Sequence, residues 1–198
     1  MLTLPHRGRR RVRVNAEIAS EMTDVVSPTP ERSRLVPMLL LVTLPVLALD
    51  QISKHLIRSN FALYHSRPLI TGWLDLTYTL NPGAAFSLFA TMPETFRHLF
   101  FVALSLAAMI VLTVMLARRS TQLSSAIAFA LILGGTIGNL IDRLTIGRVV
   151  DFIYFHHESF SYPVFNLADS AITTGVAIVL LFSFLESRET ASDADTAI

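Results

Sequence analysis

Apolar residues in this chain fall in long runs rather than in alternation. Four runs stand out: Leu35 to Ile57, Leu99 to Ala117, Leu123 to Ile141 and Ala168 to Leu185. Each comes close to the ~20 residues that a helix needs to cross a hydrocarbon core, so the pattern predicts four membrane helices. Between the first two, Ile70 to Leu80 (ITGWLDLTYTL) is rich in β-branched and aromatic residues and predicts a short strand or hairpin. Trp73 and Tyr78 there suit the headgroup level. Asn81-Pro82-Gly83 then reads as a turn, and Ala84 to Phe89 predicts one helical turn at the membrane interface. The second run carries only Ser105 and Thr113 as polar residues and reads as scaffold.

Composition strengthens the membrane reading: 52% hydrophobic and 16% charged residues, with a mean hydropathy of +0.54, do not suit a water-soluble globule of 198 residues. The net charge of +1 matters less than its placement. Seven arginines (Arg7, Arg9, Arg10, Arg11, Arg13, Arg32 and Arg34) precede the first run, and Arg118 and Arg119 lie between the second and third. By the positive-inside rule these regions and both termini face the cytoplasm, and the loops 58–98 and 142–167 face outward. Residues 1–34 are expected to be a basic, disordered cytoplasmic extension, or an over-long start with Met22 as the true beginning. Residues 35–187 are expected to be the membrane domain and 188–198 an acidic cytoplasmic tail. The basic stretch is too long for a signal peptide and no A-x-A site follows the apolar run, so that run is expected to be retained. The absence of cysteine excludes a thiol nucleophile, a disulfide and a thiolate metal site.

Ionisable groups cluster where the spans end, and such groups near hydrocarbon are site candidates by default. Asp50 and Lys54 share a helix face at i, i+4. They form either a self-neutralising pair that snorkels at a helix end or a buttress for a polar site. Gly134 and Gly138 form a G-x-x-x-G whose ordinary meaning is close helix packing, favoured over a phosphate cradle. Asn139, Asp142 and Arg143 follow on one face. Asp142 and Arg143 could pair with each other, or Arg143 could clamp an anion or a carbonyl with its fork of donors. Asp151 lies among Val149, Val150, Phe152 and Ile153, where desolvation should raise its pKa and suit it to acid–base work. His156, His157 and Glu158 match no zinc spacing, and neither a metal nor a cofactor is expected. Asn166 with Asp169 resembles a helix cap, a role compatible with Asp169 also facing a site.

Asp151 and Asp169 are 18 residues apart, with a chain between them that leaves the membrane surface and returns. Two carboxylates sharing one proton are the apparatus of an aspartic protease. The chain has no H-E-x-x-H, no G-x-S-x-G and no G-x-G-D, the marks of other intramembrane hydrolases. A small proton-coupled transporter or channel subunit is the alternative, although the internal repeats usual in such folds are missing. A noncatalytic assembly factor would use only the glycine packing.

Four blocks, DQISK (Asp50 to Lys54), NPGAAF (Asn81 to Phe86), GNLIDRLTIGRVVDF (Gly138 to Phe152) and FNLADSAI (Phe165 to Ile172), resemble in order and spacing the signature blocks of the lipoprotein signal peptidase (signal peptidase II) family. The likeness runs from about Leu35 to Leu185. The resemblance implies a mainly α membrane protein of four transmembrane helices with a small extracytoplasmic β-cradle and a short interfacial helix. It implies an aspartic endopeptidase of the bacterial inner membrane that cleaves diacylglyceryl-modified prolipoproteins before the lipidated cysteine and is inhibited by globomycin. It places the catalytic pair on Asp151 and Asp169, and substrate-binding roles on Asn81, Gly83, Asn139, Arg143 and Asn166. Asp50, Lys54 and Asp142 match supporting polar positions. The expected partners are the bilayer, the lipidated substrate and a globomycin-type inhibitor, with no nucleic acid, acting as a monomer.

Overall fold

The computed structural model describes residues 33–83, 92–118 and 121–196. The expected extension up to residue 32, the interfacial turn at Ala84 to Phe89 and Arg119 lie outside the described residues. Four helices are long and apolar enough to cross a membrane: α1 (Leu35–Asn60), α2 (Glu94–Ala117), α3 (Leu123–Ile146) and α4 (Leu167–Thr196, apolar as far as Arg188). All four predicted spans are present, with shifted ends. The second begins at Glu94 rather than Leu99, with Pro93 at the cap position and a carboxylate in the first turn that suits the helix dipole. The third continues past Ile141 to Ile146, where Gly147 closes it in the left-handed region (φ 75°), its N–H donating to the Arg143 carbonyl at 3.1 Å. Helix α4 runs on beyond residue 188, so at least part of the expected acidic tail is helical.

Helix α1 contains a widened turn over Leu39–Thr43, directly before Pro45. Proline cannot donate to the carbonyl one turn back and its ring collides with it, and an extra residue in the turn relieves that conflict. Within this turn the Thr43 hydroxyl donates to the Ala130 carbonyl of α3 at 3.0 Å.

Helix α3 is the centre of the bundle: 56% of its apolar window is buried, against 17% for each of the others. Small residues let its neighbours approach. A methyl placed on Gly134 would lie 3.0 Å from the Thr43 carbonyl oxygen of α1, and one on Gly138 would run into the Asp50 carboxylate. Gly135 faces the Ala168 carbonyl of α4 as tightly, and Gly175 of α4 returns the contact against Ala128 and Ile132. The G-x-x-x-G thus acts in helix packing. Below it Met38, Leu112, Leu116, Ala126, Ala130 and Leu133 form the membrane core.

Above the bundle sits an antiparallel sheet in the order β1 (Ser66–Ile70), β2 (Leu74–Asn81), β3 (Val149–His157) and β4 (Phe160–Ser161). Strand β2 falls in the stretch predicted as strand or hairpin, and its hairpin partner β1 lies almost wholly before Ile70. Strand β3 takes up the apolar run around Asp151, with Val150 and Phe152 packed on Ile57 at the end of α1. The β2–β3 register pairs Leu76 with Ile153 and Thr79 with Asp151, so one extra β2 residue is accommodated between them. Such a bulge re-aims the side chains that follow it. Beyond it, Asn81 pairs with Val149 and reaches diagonally to Asp151.

Candidate active site

Strand β3 carries Asp151 and the first turn of α4 carries Asp169. Asp151 is 2% exposed, and each of its oxygens accepts one amide hydrogen bond: from Asn81 Nδ2 at 2.9 Å and from Asn166 Nδ2 at 2.7 Å. Asp169 accepts from Asn139 Nδ2 at 2.8 Å and from the Asn166 backbone N–H at 3.3 Å. Asn166 therefore touches both carboxylates. Its side-chain oxygen in turn accepts the Asp169 backbone N–H at 2.9 Å, so Asn166 caps α4 while its amide end still reaches Asp151. Burial, and then the charge of Asp169, push the Asp151 carboxyl up from the ordinary carboxylate range to about 7, against the pull of the Asn81 and Asn166 hydrogen bonds and of Lys54.

The orientation of each carboxamide is imposed from outside. Asn81 Oδ1 accepts the Gly83 N–H at 2.8 Å, Asn139 Oδ1 accepts Lys54 Nζ at 3.0 Å, and Asn166 Oδ1 accepts the Asp169 N–H. Ammonium and peptide N–H groups can only donate, so each amide must turn its oxygen to that group and its NH2 end to an aspartate.

Behind the carboxylates lies a buried ion cluster. Lys54 is 2% exposed, and its ammonium lies 2.8 Å from Asp50 Oδ2 and 3.0 Å from Asp142 Oδ2. The snorkelling reading of Asp50 and Lys54 is thereby overturned: Lys54 points inward, between Asp50, Asp142 and Asn139. The ion pair of Asp142 is with Lys54 rather than with its chain neighbour Arg143, because adjacent helix positions do not face each other. The Arg143 guanidinium instead donates to the Asn139 carbonyl at 3.3 Å and lies 5.2 Å over the Phe101 ring.

Phe101 is also what makes glycine obligatory at position 83, where φ is 92° and a methyl would strike the ring. The Asn-Pro-Gly turn is tied down further by Arg97, whose Nε donates to the Pro82 carbonyl at 2.9 Å. Sequence reasoning missed Arg97 and Phe101, treating α2 as scaffold. The usable signal was a guanidinium at the head of an apolar helix with an aromatic ring at i+4. It also missed Gln51, whose Nε2 donates to the Gly138 carbonyl at 3.1 Å and to Asp50 Oδ2 at 3.2 Å. The His156–Glu158 stretch turns away to the sheet, where His157 stacks on Trp73 at 3.6 Å and His156 lies against Asp75.

Asp169 borders three cavities. One of about 220 Å³ is lined by Asn81, Gly83, Arg143 and Tyr162. A second, about 330 Å³, lies between α2 and α3 and reaches Ala108 and Ile132 in the membrane spans. The third, about 410 Å³, is apolar and lies between Ile153, Phe155 and Phe165 and the start of α4. Asp169 at this junction can meet water, a polypeptide and an acyl chain, while Asp151 lies buried behind it.

Comparison with known proteins covers the same part of the chain. The family model described as signal peptidase (SPase) II matches residues 42–185. The chain is 40% identical over 145 residues to the lipoprotein signal peptidase of Syntrophus aciditrophicus, covering 73% of this chain and 90% of the relative. With those of Photorhabdus laumondii and Escherichia coli it shares 46% over 145 residues and 44% over 144, covering 73% and 72% of this chain and 86% and 87% of theirs. A solved bacterial membrane enzyme superposes with a TM-score of 0.70 at 27% identity, over 79% of this chain and 93% of that one. The four-helix bundle with its small sheet and these likenesses lead to one conclusion: the chain belongs to the signal peptidase II family, bacterial membrane peptidases that remove signal peptides from prolipoproteins.

Proposed function

We propose that Asp151 and Asp169 are the catalytic pair, and that the bond cut is the one on the N-terminal side of a diacylglyceryl-modified cysteine. The observation that carries this is Asn166, which joins a strand carboxylate and a helix carboxylate through one residue. The ionised aspartate takes a proton from water as the water oxygen attacks the scissile carbonyl carbon. The protonated one gives its proton to the carbonyl oxygen. Collapse of the tetrahedral diol passes the proton taken from water to the amide nitrogen and a hydroxyl proton back to the other aspartate, the C–N bond breaks, and the pair again holds a single proton. Because the two groups titrate as a unit, the shared proton belongs to the pair.

Asn139, Arg143 and Gly83 border the cavities in front of Asp169; Asn139 and Arg143 supply donors for substrate carbonyls, Gly83 lets a substrate backbone come close, and Asn81 and Asn166 hold Asp151. A lipid-modified substrate leaves the bilayer only at about 0.8 kcal/mol per CH2, so cleavage must occur where acyl chains end. The cavity between α2 and α3 meets that need. Arg34 Nε donates to the Thr121 carbonyl at 2.9 Å, so the basic flanks of α1 and of the α2–α3 turn share one end of the bundle. The positive-inside rule makes that end cytoplasmic, with the dyad near the outer surface of the inner membrane. One chain supplies every group named above, so this reading needs no second copy, and the protein is proposed to act as a monomer.

The test is incubation of purified protein with a diacylated precursor peptide, with and without globomycin. Expected are cleavage before the lipidated cysteine, inhibition by globomycin, and a loss of about 10²–10⁴-fold in kcat for Asp151→Asn and for Asp169→Asn in protein that still accumulates in membranes. Full cleavage by either variant would remove the assigned dyad. Cleavage that globomycin leaves untouched would remove the clamp role of Arg143.

A further inference from the structure

The buried ions do more than neutralise one another. Asp50 Oδ1 accepts the backbone N–H of Ala168 at 2.9 Å, and Asp142 Oδ2 accepts that of Val150 at 3.0 Å. Ala168 immediately precedes Asp169 and Val150 immediately precedes Asp151. Each supporting carboxylate thus holds the peptide unit that leads into one member of the dyad, and Lys54 lies between the two with a contact to each. The same ammonium reaches the Asp169 side chain through Asn139. Gln51 spans Asp50 and Asp142 from the side, at 3.2 and 3.4 Å. Asp50 and Asp142 are 0% and 4% exposed, so water offers these peptide groups no substitute acceptor.

We infer that Asp50, Lys54 and Asp142 form a yoke whose job is to fix the separation of the two carboxylates: Lys54 draws the two acids together, and each acid pins the backbone beside one aspartate. They are positioning residues for the reaction, and the inference rests on the catalytic roles proposed above. The distance between two like charges sets their repulsion, and hence how far apart the two steps of a shared titration lie. A yoke therefore has a signature that bulk stability lacks. Changing a nearby charge moves both limbs of a pH–rate bell in one direction, whereas changing the separation of the pair alters the spacing between the limbs. The charged and titratable groups facing the pair are Arg143 and Asp142 from α3, Asp50 and Lys54 from α1, and Tyr162 from the segment before α4.

The experiment is the pH profile of kcat/KM, with kcat and KM read separately, for full-length protein acting on a diacylated precursor peptide. Asp50→Ala and Asp142→Ala, which remove the acceptor, should lower kcat by about 100-fold with little change in KM and draw the two limbs together by roughly one pH unit. Asp50→Asn and Asp142→Asn keep an oxygen for the peptide N–H but remove one negative charge. Both limbs should then move to lower pH at unchanged spacing. Alanine variants that turn over with the original spacing, or asparagine variants whose spacing changes, would overturn the inference. Should the alanine variants not accumulate or not turn over, the asparagine pair decides: unchanged spacing supports the yoke and altered spacing ends it. Failure of the unsubstituted protein to cleave, or full activity in Asp151→Asn, would instead remove the dyad assignment itself.

Discussion

A carboxyl pushed to about 7 stays protonated from about pH 4 to 7, where an ordinary aspartate is already ionised, so Asp151 gives the pair an alkaline limit. In the proposed mechanism the competent state holds one proton. Activity should fall as pH rises through about 7, where that proton leaves. The Asn81 hydrogen bond favours the ionised form, so Asn81→Ala should move the limb upward. A bond contributing about 1 kcal/mol corresponds to roughly 0.7 pH unit, readable as a displaced alkaline limb of kcat/KM. Lys54→Met leaves two buried acids without their cation and should destabilise the protein by about 3–5 kcal/mol, visible in thermal unfolding in detergent. At this scale the sequence was informative about Asp151, because an acid inside a Val-Val-x-Phe-Ile run has few bland explanations. It was silent on Lys54 meeting Asp142 and Asn139, partners more than 80 residues away that only the α1–α3 packing brings together. That Arg143 lies over Phe101 rather than against Asp142 was likewise hidden, because Phe101 is on another helix and Lys54 takes Asp142.

Helix ends and glycine contacts decide what the elements can do. Gly135 presses on the Ala168 carbonyl, one residue from Asp169. Gly135→Ala must push α4 away from α3, and a loss of about 1–3 kcal/mol is expected, typical of overpacking. Gly147→Ala meets open space at φ 75° and should cost only about 1 kcal/mol of backbone strain. Comparing the two melting temperatures tests the order. The G-x-x-x-G signal was legible because small residues at i, i+4 have one common use in a membrane. The β2 bulge was not, since nothing in LDLTYTLN marks where pairing slips, and yet the slip is what carries Asn81 to Asp151. The spans themselves were read correctly from hydropathy, but their ends were set by Pro93 and Gly147 rather than by where apolar residues stop.

For the molecule as a whole, the proposed orientation can be checked directly, because the chain has no cysteine of its own. Single substitutions Thr121→Cys and Ser161→Cys should label with an impermeant thiol reagent from the cytoplasmic and the outer side respectively. Protein lacking residues 1–32 should cleave as the full chain does, since the family match begins at residue 42. Large apolar side chains such as Leu41, Leu49, Leu104, Ile110 and Leu180 are exposed along the outside of the bundle and cover it with a lipid-compatible surface. The cavity between α2 and α3 sits within that surface, walled by Leu104 and Ser105 on one side and Ile132 and Thr136 on the other. A substrate arriving by that route diffuses sideways in a sheet two molecules thick and never crosses bulk solvent. Its encounter rate then depends on how many precursors share each patch of bilayer, so diluting a fixed amount of precursor with inert phospholipid should slow turnover even though its molarity in the test tube is unchanged.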